Sequence, residues 1–197
     1  MGDAPLSLDE KVRLIVSVLR RAGIPHALGG AIALAFAGEP RGTLDIDLNV
    51  FVEPEQSGPA LEALKELGIP LDAAEVQQRL NRDGQVRLRW NETFVDLFFS
   101  NVPFHTASSE RIRTVPYGED EISVLSPEDL VVYKAMFNRL KDWADIEQVL
   151  YRQGHVFDLD YARGWLVEMV GESDERVRRL DELVEASKQW NRWAEAE

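Results

Sequence analysis

Leu28-Gly29-Gly30, a short apolar stretch over Ala31–Ala37, and then Arg41-Gly42-Thr43-Leu44-Asp45-Ile46-Asp47-Leu48 decide how this chain is read. From Leu44 to Val52 apolar and polar residues alternate with the period of a strand. Leu44, Ile46, Leu48, Val50 and Val52 take one face; Asp45, Asp47 and Asn49 take the other. Residues two apart in a strand leave the same face, so Asp45 and Asp47 present two carboxylates together. Such a pair repels unless a cation sits between them, and a hard cation such as Mg²⁺ takes oxygen ligands. The same Asp-x-Asp also describes two solvated aspartates at a sheet edge. Gly29-Gly30 joins a predicted strand, Ile24–Leu28, to a predicted helix, Ala31–Ala37, which Gly38 and Pro40 stop. The glycines suit either a phosphate held at a helix N-terminus or a plain tight turn. Arg41 and Thr43 either reach phosphates or cap the loop.

A third acid lies downstream. Gln85–Trp90 and Thr93–Phe99 read as strands, and the two-residue link Asn91-Glu92 makes them a hairpin. Trp90 then faces Thr93, and Arg87 faces Asp96. Asp96 shares its face with Phe94 and Phe98, while Val95, Leu97 and Phe99 take the other. An aspartate between two phenylalanines needs a partner to offset its desolvation. That partner is Arg87 across the hairpin, a metal shared with Asp45 and Asp47, or both.

Outside these strands the chain reads as helix. Ser7 and Glu10 form a capping box, and Leu8, Val12, Ile15, Val16 and Leu19 follow at helical spacing until Gly23. A helix over residues 56–67 covers the sheet. Ser126-Pro127-Glu128-Asp129 starts a helix with proline in the first turn and acids at its positive end. Helices continue to the C-terminus, with breaks near Gly154 and Gly171. The expected organisation is an α/β core over residues 1–120 and a helical subdomain over 121–197. Lys134, Asn138, Lys141 and Asp145 fall at i, i+4, i+7 and i+11, one polar stripe on one helix. That stripe is either a solvated face with a Lys141–Asp145 pair or a functional one. Trp143, Trp165, Trp190 and Trp193 on these helices read as packing.

Composition removes several chemistries. The 197 residues are 45% hydrophobic and 29% charged, as in ordinary globular proteins. The absence of cysteine excludes a disulfide scaffold, a thiolate metal site and a cysteine nucleophile. His26, His105 and His155 are far apart and read as structural. With 22 Lys and Arg against 35 Asp and Glu, the net charge of −13 excludes a broad basic nucleic-acid surface and leaves room only for a local basic pocket. No apolar run approaches the ~20 residues of a membrane span. The first residues, MGDAPLSLDEK, lack the basic and apolar regions of a secretion signal, so a cytoplasmic protein is expected.

At Leu28-Gly29-Gly30 and Asp45-Ile46-Asp47-Leu48 the chain resembles the nucleotidyltransferase superfamily, the polymerase-β-like fold. Arg41-x-Thr43-x-Asp45-x-Asp47 looks like the form found in AbiEii-type toxins. So does the segment Ser126-Pro127-Glu128-Asp129-Leu130, Lys134, Arg139-x-Lys141-Asp142-x-x-Asp145. The resemblance implies an α+β fold, a mixed sheet with flanking helices followed by a helical subdomain. It implies magnesium-dependent transfer of a nucleoside monophosphate from an NTP to a hydroxyl, a tRNA 3′ end or a protein. The chain would then be the toxin of a toxin–antitoxin pair, with the antitoxin as partner. Asp45, Asp47 and Asp96 would be the catalytic and metal-binding acids, and Gly29, Gly30, Arg41, Thr43 and Lys134 would bind the nucleotide. Small-molecule adenylyltransferases, as in lincosamide and aminoglycoside resistance, share the Gly-Gly and Asp-x-Asp parts, and an acidic cleft suits cationic drugs. A non-catalytic binding module on the same scaffold is the third reading.

Overall fold

The structure, a computed structural model, describes residues 5–194 and the side chains up to residue 187; Trp190 and Trp193 lie outside the described side chains. The first helix, α1 (Leu8–Arg21), begins where the capping box places it. The Ser7 hydroxyl accepts the Glu10 N–H, and the Glu10 carboxylate accepts the Ser7 N–H at 2.7 Å. Val12, Ile15, Val16 and Leu19 form its buried stripe. Lys11 is buried with them and donates from Nζ to the Trp90 carbonyl and the Thr93 hydroxyl, at 3.1 and 2.9 Å.

Six strands form one mixed sheet: β1 (His26–Leu28), β2 (Ile46–Val50), β3 (Gln85–Trp90), β4 (Thr93–Phe99), β5 (Arg113–Tyr117) and β6 (Asp120–Val124). Their order is β3-β4-β2-β1-β6-β5. The β3–β4 hairpin has the register its two-residue link dictates, Trp90 with Thr93 and Arg87 with Asp96. Asn91 in that link takes a left-handed φ of 57°, which asparagine tolerates better than most residues. Ile46, Leu48 and Val50 on β2, and Val95 and Leu97 on β4, are wholly buried on the opposite side from the acids. Strand β2 starts at Ile46, two residues later than the alternation suggests, and Leu44 is 72% exposed rather than inward-facing.

The chain divides into two units. The sheet, with α1, α3 (Gly58–Lys65), α4 (Ala73–Asp83) and α5 (Pro103–Ser109), forms the first, from residues up to Gly29 and Gly42–Val124. Here α1 packs on α3 and against β6, and α4 packs against β3. The second unit takes α2 (Gly30–Ala37) together with α6 (Pro127–Phe137), α7 (Leu140–Gln153), α8 (Leu159–Val170) and α9 (Glu175–Ala194). Helix α6 packs on α2, α7 and α8. Ser126 caps α6 by accepting the Asp129 N–H, as its signature predicts. Among the described residues no helix is long and apolar enough to cross a membrane.

His26 and His105 are held within the fold, whereas His155 is exposed. Burial pushes the pKa of His26 down, and its Nδ1 lies 2.7 Å from the Ile24 carbonyl. His105 accepts the Asn101 N–H through Nδ1 at 3.1 Å, and burial lowers its pKa from 6.5 to about 4. The unfolded chain takes up that proton at the ordinary value, so stability present above pH ~6.5 is lost as pH falls toward ~4. Thermal melts between pH 7 and pH 4 are expected to show a smaller decline for His105→Gln, whose amide oxygen accepts at any pH. An equal decline in both proteins assigns the acid sensitivity elsewhere.

Candidate active site

The site is built by strand register. Asp47 on β2 is paired with Asp96 on β4, and Asp96 is paired with Arg87 on β3. Register partners send their side chains to the same face, so Arg87, Asp96 and Asp47 form one row across three strands. On the far side of β2 the Gly29 N–H donates to the Asp47 carbonyl at 2.9 Å, which sets the Gly-Gly turn at the end of that row. Asp45 stands two residues before Asp47, just ahead of β2. The Thr43 hydroxyl accepts the Asp45 N–H at 3.1 Å and donates to the Asp45 carbonyl at 3.2 Å. Thr43 therefore folds the loop onto the backbone that carries the first acid.

Arg87 grips Asp96 with a fork. Its Nε and Nη2 donate to the two carboxylate oxygens at 2.6 and 2.7 Å. The Asp96 side chain is 13% exposed and that of Arg87 52%. The hydrogen bonds to Asp96, joined by the charges of Asp96, Asp45 and Asp47, outweigh burial and raise the pKa of the guanidinium. Both partners that the sequence offers Asp96 bear on a metal. Asp45 and Asp47 supply the hard oxygen donors that magnesium takes. Asp96 is engaged by Arg87, and among the described residues no three Asp, Glu, His or Cys side chains are grouped to hold a metal ion.

The Gly-Gly turn contributes shape rather than two free donors. The Gly29 N–H belongs to the sheet, while Gly30 opens α2 with a φ of 51°, where an L side chain is strained. In the second unit Arg41 and Lys134 converge on Asp145. Arg41 Nε and Nη2 donate to its carboxylate at 3.0 Å each, and Lys134 Nζ donates at 2.6 Å. Lys134 and Asp145 are nearly sealed, with side chains 4% and 8% exposed. Burial alone would raise the Asp145 carboxyl, yet the bonds from Arg41 and Lys134 outweigh it and hold its pKa low.

This corrects the single-stripe reading of Lys134, Asn138, Lys141 and Asp145. Asn138 ends α6 at a φ of 54° and Arg139 caps α7, so Lys134 and Asp145 lie on different helices and meet across them. The sequence signal was an asparagine able to take the left-handed region, set inside an apparently continuous periodicity. Removing one member of a buried pair leaves the other charge uncompensated, which costs about 3 kcal/mol or more. Asp145→Leu is therefore expected to lower unfolding stability by about that amount, measured in urea. Lys134→Met/Asp145→Leu should recover most of the loss, and an additive double mutant would contradict the pairing.

No protein-family model matches the chain, and no curated protein matches its sequence. Solved structures do. That of ANT(2″)-Ia in complex with adenylyl-2″-tobramycin superposes with a TM-score of 0.58 at 13% identity, over 82% of this chain and 97% of that one. The solution structure of the antibiotic-resistance factor ANT(2″)-Ia gives 0.54 at 11% identity, over 94% and 93%. The lincomycin-bound lincosamide antibiotic adenylyltransferase LnuA gives 0.50 at 13% identity, over 74% and 98%. At these identities the likeness is one of architecture, and the architecture is specific: this chain has the nucleotidyltransferase fold.

Proposed function

We propose that the chain is a nucleotidyltransferase that moves a nucleoside monophosphate from an NTP to a hydroxyl acceptor, releasing pyrophosphate. The observation that carries this reading is the row Arg87, Asp96, Asp47 and Gly29, with Asp45 two residues upstream, on a fold shared with adenylyltransferases. Phosphoryl transfer asks a protein mainly for positioning and charge stabilisation. Asp45 and Asp47 are the residues that would hold magnesium, and the ion would supply charge neutralisation at the triphosphate. Asp96 takes the proton of the acceptor hydroxyl, which requires a carboxylate oxygen turned away from Arg87. Thr43 fixes the Asp45 backbone. Gly30 opens a helix whose first N–H groups have no helical carbonyl and suit phosphate oxygens, and Gly29 lets the nucleotide approach closely. Arg41 and Lys134, organised by Asp145, are the cations of this reading for the triphosphate.

For the acceptor, the Arg41-x-Thr43-x-Asp45-x-Asp47 form and the segment around Lys134 support the AbiEii-like reading. The acceptor is then a tRNA 3′ end or a protein, and the chain a cytoplasmic toxin paired with an antitoxin. A small cationic molecule is the second reading, supported by the net charge of −13 and by neighbours whose structures hold adenylyl-tobramycin or lincomycin.

Calorimetric titration of each of the four NTPs, with and without Mg²⁺, tests the common core. Magnesium-dependent binding of one NTP is expected, weakened at least about tenfold, or 1.4 kcal/mol, in Asp45→Ala/Asp47→Ala. Labelled NTP offered to tRNA, protein and aminoglycoside then separates the acceptors. A folded wild type that binds no NTP would favour a non-catalytic scaffold instead.

A further inference from the structure

We propose that Arg87 is the resident counter-ion of the acidic row, occupying Asp96 until a divalent cation displaces it. The proposal rests on reading Asp45, Asp47 and Asp96 as the nucleotidyl-transfer site. It starts from the two short hydrogen bonds by which one guanidinium spans both oxygens of Asp96. A planar fork matches a carboxylate in that geometry and leaves a full positive charge beside it. Magnesium asks for near-octahedral oxygen ligands and repels a cation held this close. Arg87 and a metal shared by all three acids are therefore alternatives at Asp96, and the structure holds the arginine form.

Arg87 is also placed to leave. It lies on β3, the edge strand, so no further strand closes over it. Half its side chain is exposed, and its guanidinium carbon stands 5.0 Å from the centre of the Phe94 ring. Arg87, Phe94, Arg89, Arg79, Glu75 and Glu92 border a groove of about 740 Å³ on that side of the first unit. A turn of its side chain toward this groove releases Asp96 while the guanidinium keeps its place over the Phe94 ring and passes into solvent; Glu75 and Glu92 on the groove's rim are already paired with Arg79 and Arg89. Charge alone then ties the two events together. Without a divalent cation the carboxylates keep Arg87; with one, the repulsion that Arg87 relieves is relieved by the metal. Asp96 becomes available as a base only when the site is loaded, so Arg87 acts as a positioning residue through Asp96.

Manganese binding without nucleotide tests this, by calorimetry at fixed ionic strength, with circular dichroism confirming each fold. Wild type is compared with Arg87→Gln, Arg87→Lys, Arg89→Gln, Arg87→Gln/Asp96→Asn and Asp45→Ala/Asp47→Ala. Arg87→Gln is expected to bind Mn²⁺ about tenfold tighter than wild type, with Arg87→Lys, which keeps the charge and loses the fork, in between. The gain should vanish in Arg87→Gln/Asp96→Asn. Arg89→Gln removes the same charge two residues along, where the guanidinium bonds the Asn91 carbonyl, and should change little. The proposal is overturned if neither Arg87 variant binds tighter, or if Arg89→Gln gains as much. The reading of the acidic row fails separately, if Asp45→Ala/Asp47→Ala binds as wild type does or if no protein in the set binds Mn²⁺.

Discussion

Asp47 and Asp96 are register partners on neighbouring strands. Strands in a sheet lie about 4.8 Å apart, so the two residues stand on one face a single strand spacing from each other. Two like charges about 5 Å apart repel by about 3 kcal/mol at an effective dielectric constant of about 20. The sheet holds them there because its other face leaves no choice. Ile46, Leu48, Val50, Val95 and Leu97 are wholly buried, and a one-residue slip of either strand would exchange them with the charged residues. The apolar core thus fixes the register, and the register fixes the carboxylates. Any account of the site begins with this imposed proximity.

Each unit answers its buried or crowded acids with cations of its own, in two different ways. Asp145 meets Lys134 where both are almost sealed from water, so neither can leave without exposing an uncompensated charge. Asp96 meets Arg87 at an edge strand, where half the arginine side chain is already exposed to solvent. Solvent on the arginine side screens this pair, so opening it costs less than opening a sealed one. The first pairing suits a fixed scaffold and the second an exchangeable partner. The difference lies in burial, not in the residue types.

Much of this was legible in the sequence because it depends on period two and on caps. The alternation over Val95–Phe99 and the two-residue link alone give the Arg87–Asp96 register. Ser7 with Glu10, and Ser126 with Asp129, mark helix starts at single-residue precision. Where tertiary context overrides pattern, the sequence was opaque. Strand β5 contains Pro116, which cannot donate to a ladder and is tolerated because β5 is an edge. Helix α4 buries only Val76 and Leu80, too few for a recognisable stripe, and is defined by its Asp72 and Gly84 caps instead. The α6–α7 break at Asn138 hides inside a helical pattern that runs straight through it. That break turned an apparent stripe into the Lys134–Asp145 pair.

The Gly-Gly turn and the acids are one feature, not two. The Gly29 N–H is bonded to the carbonyl of Asp47 itself, so the same hydrogen-bond ladder that aims the carboxylates ends in the turn. Gly29 cannot then offer that N–H to a phosphate. What it offers is the absence of a side chain beside Asp47. The next residue, Gly30, takes the left-handed backbone that swings the chain into α2. The two glycines therefore do different work: one opens space at the acids, and the other turns the chain toward a helix start, whose first N–H groups have no carbonyl partner within the helix and so suit an anion. A substitution at Gly30 strains the backbone itself, whereas one at Gly29 fills space at the acids. The turn motif is a steric and conformational requirement first, and an anion cradle only through the helix that follows it.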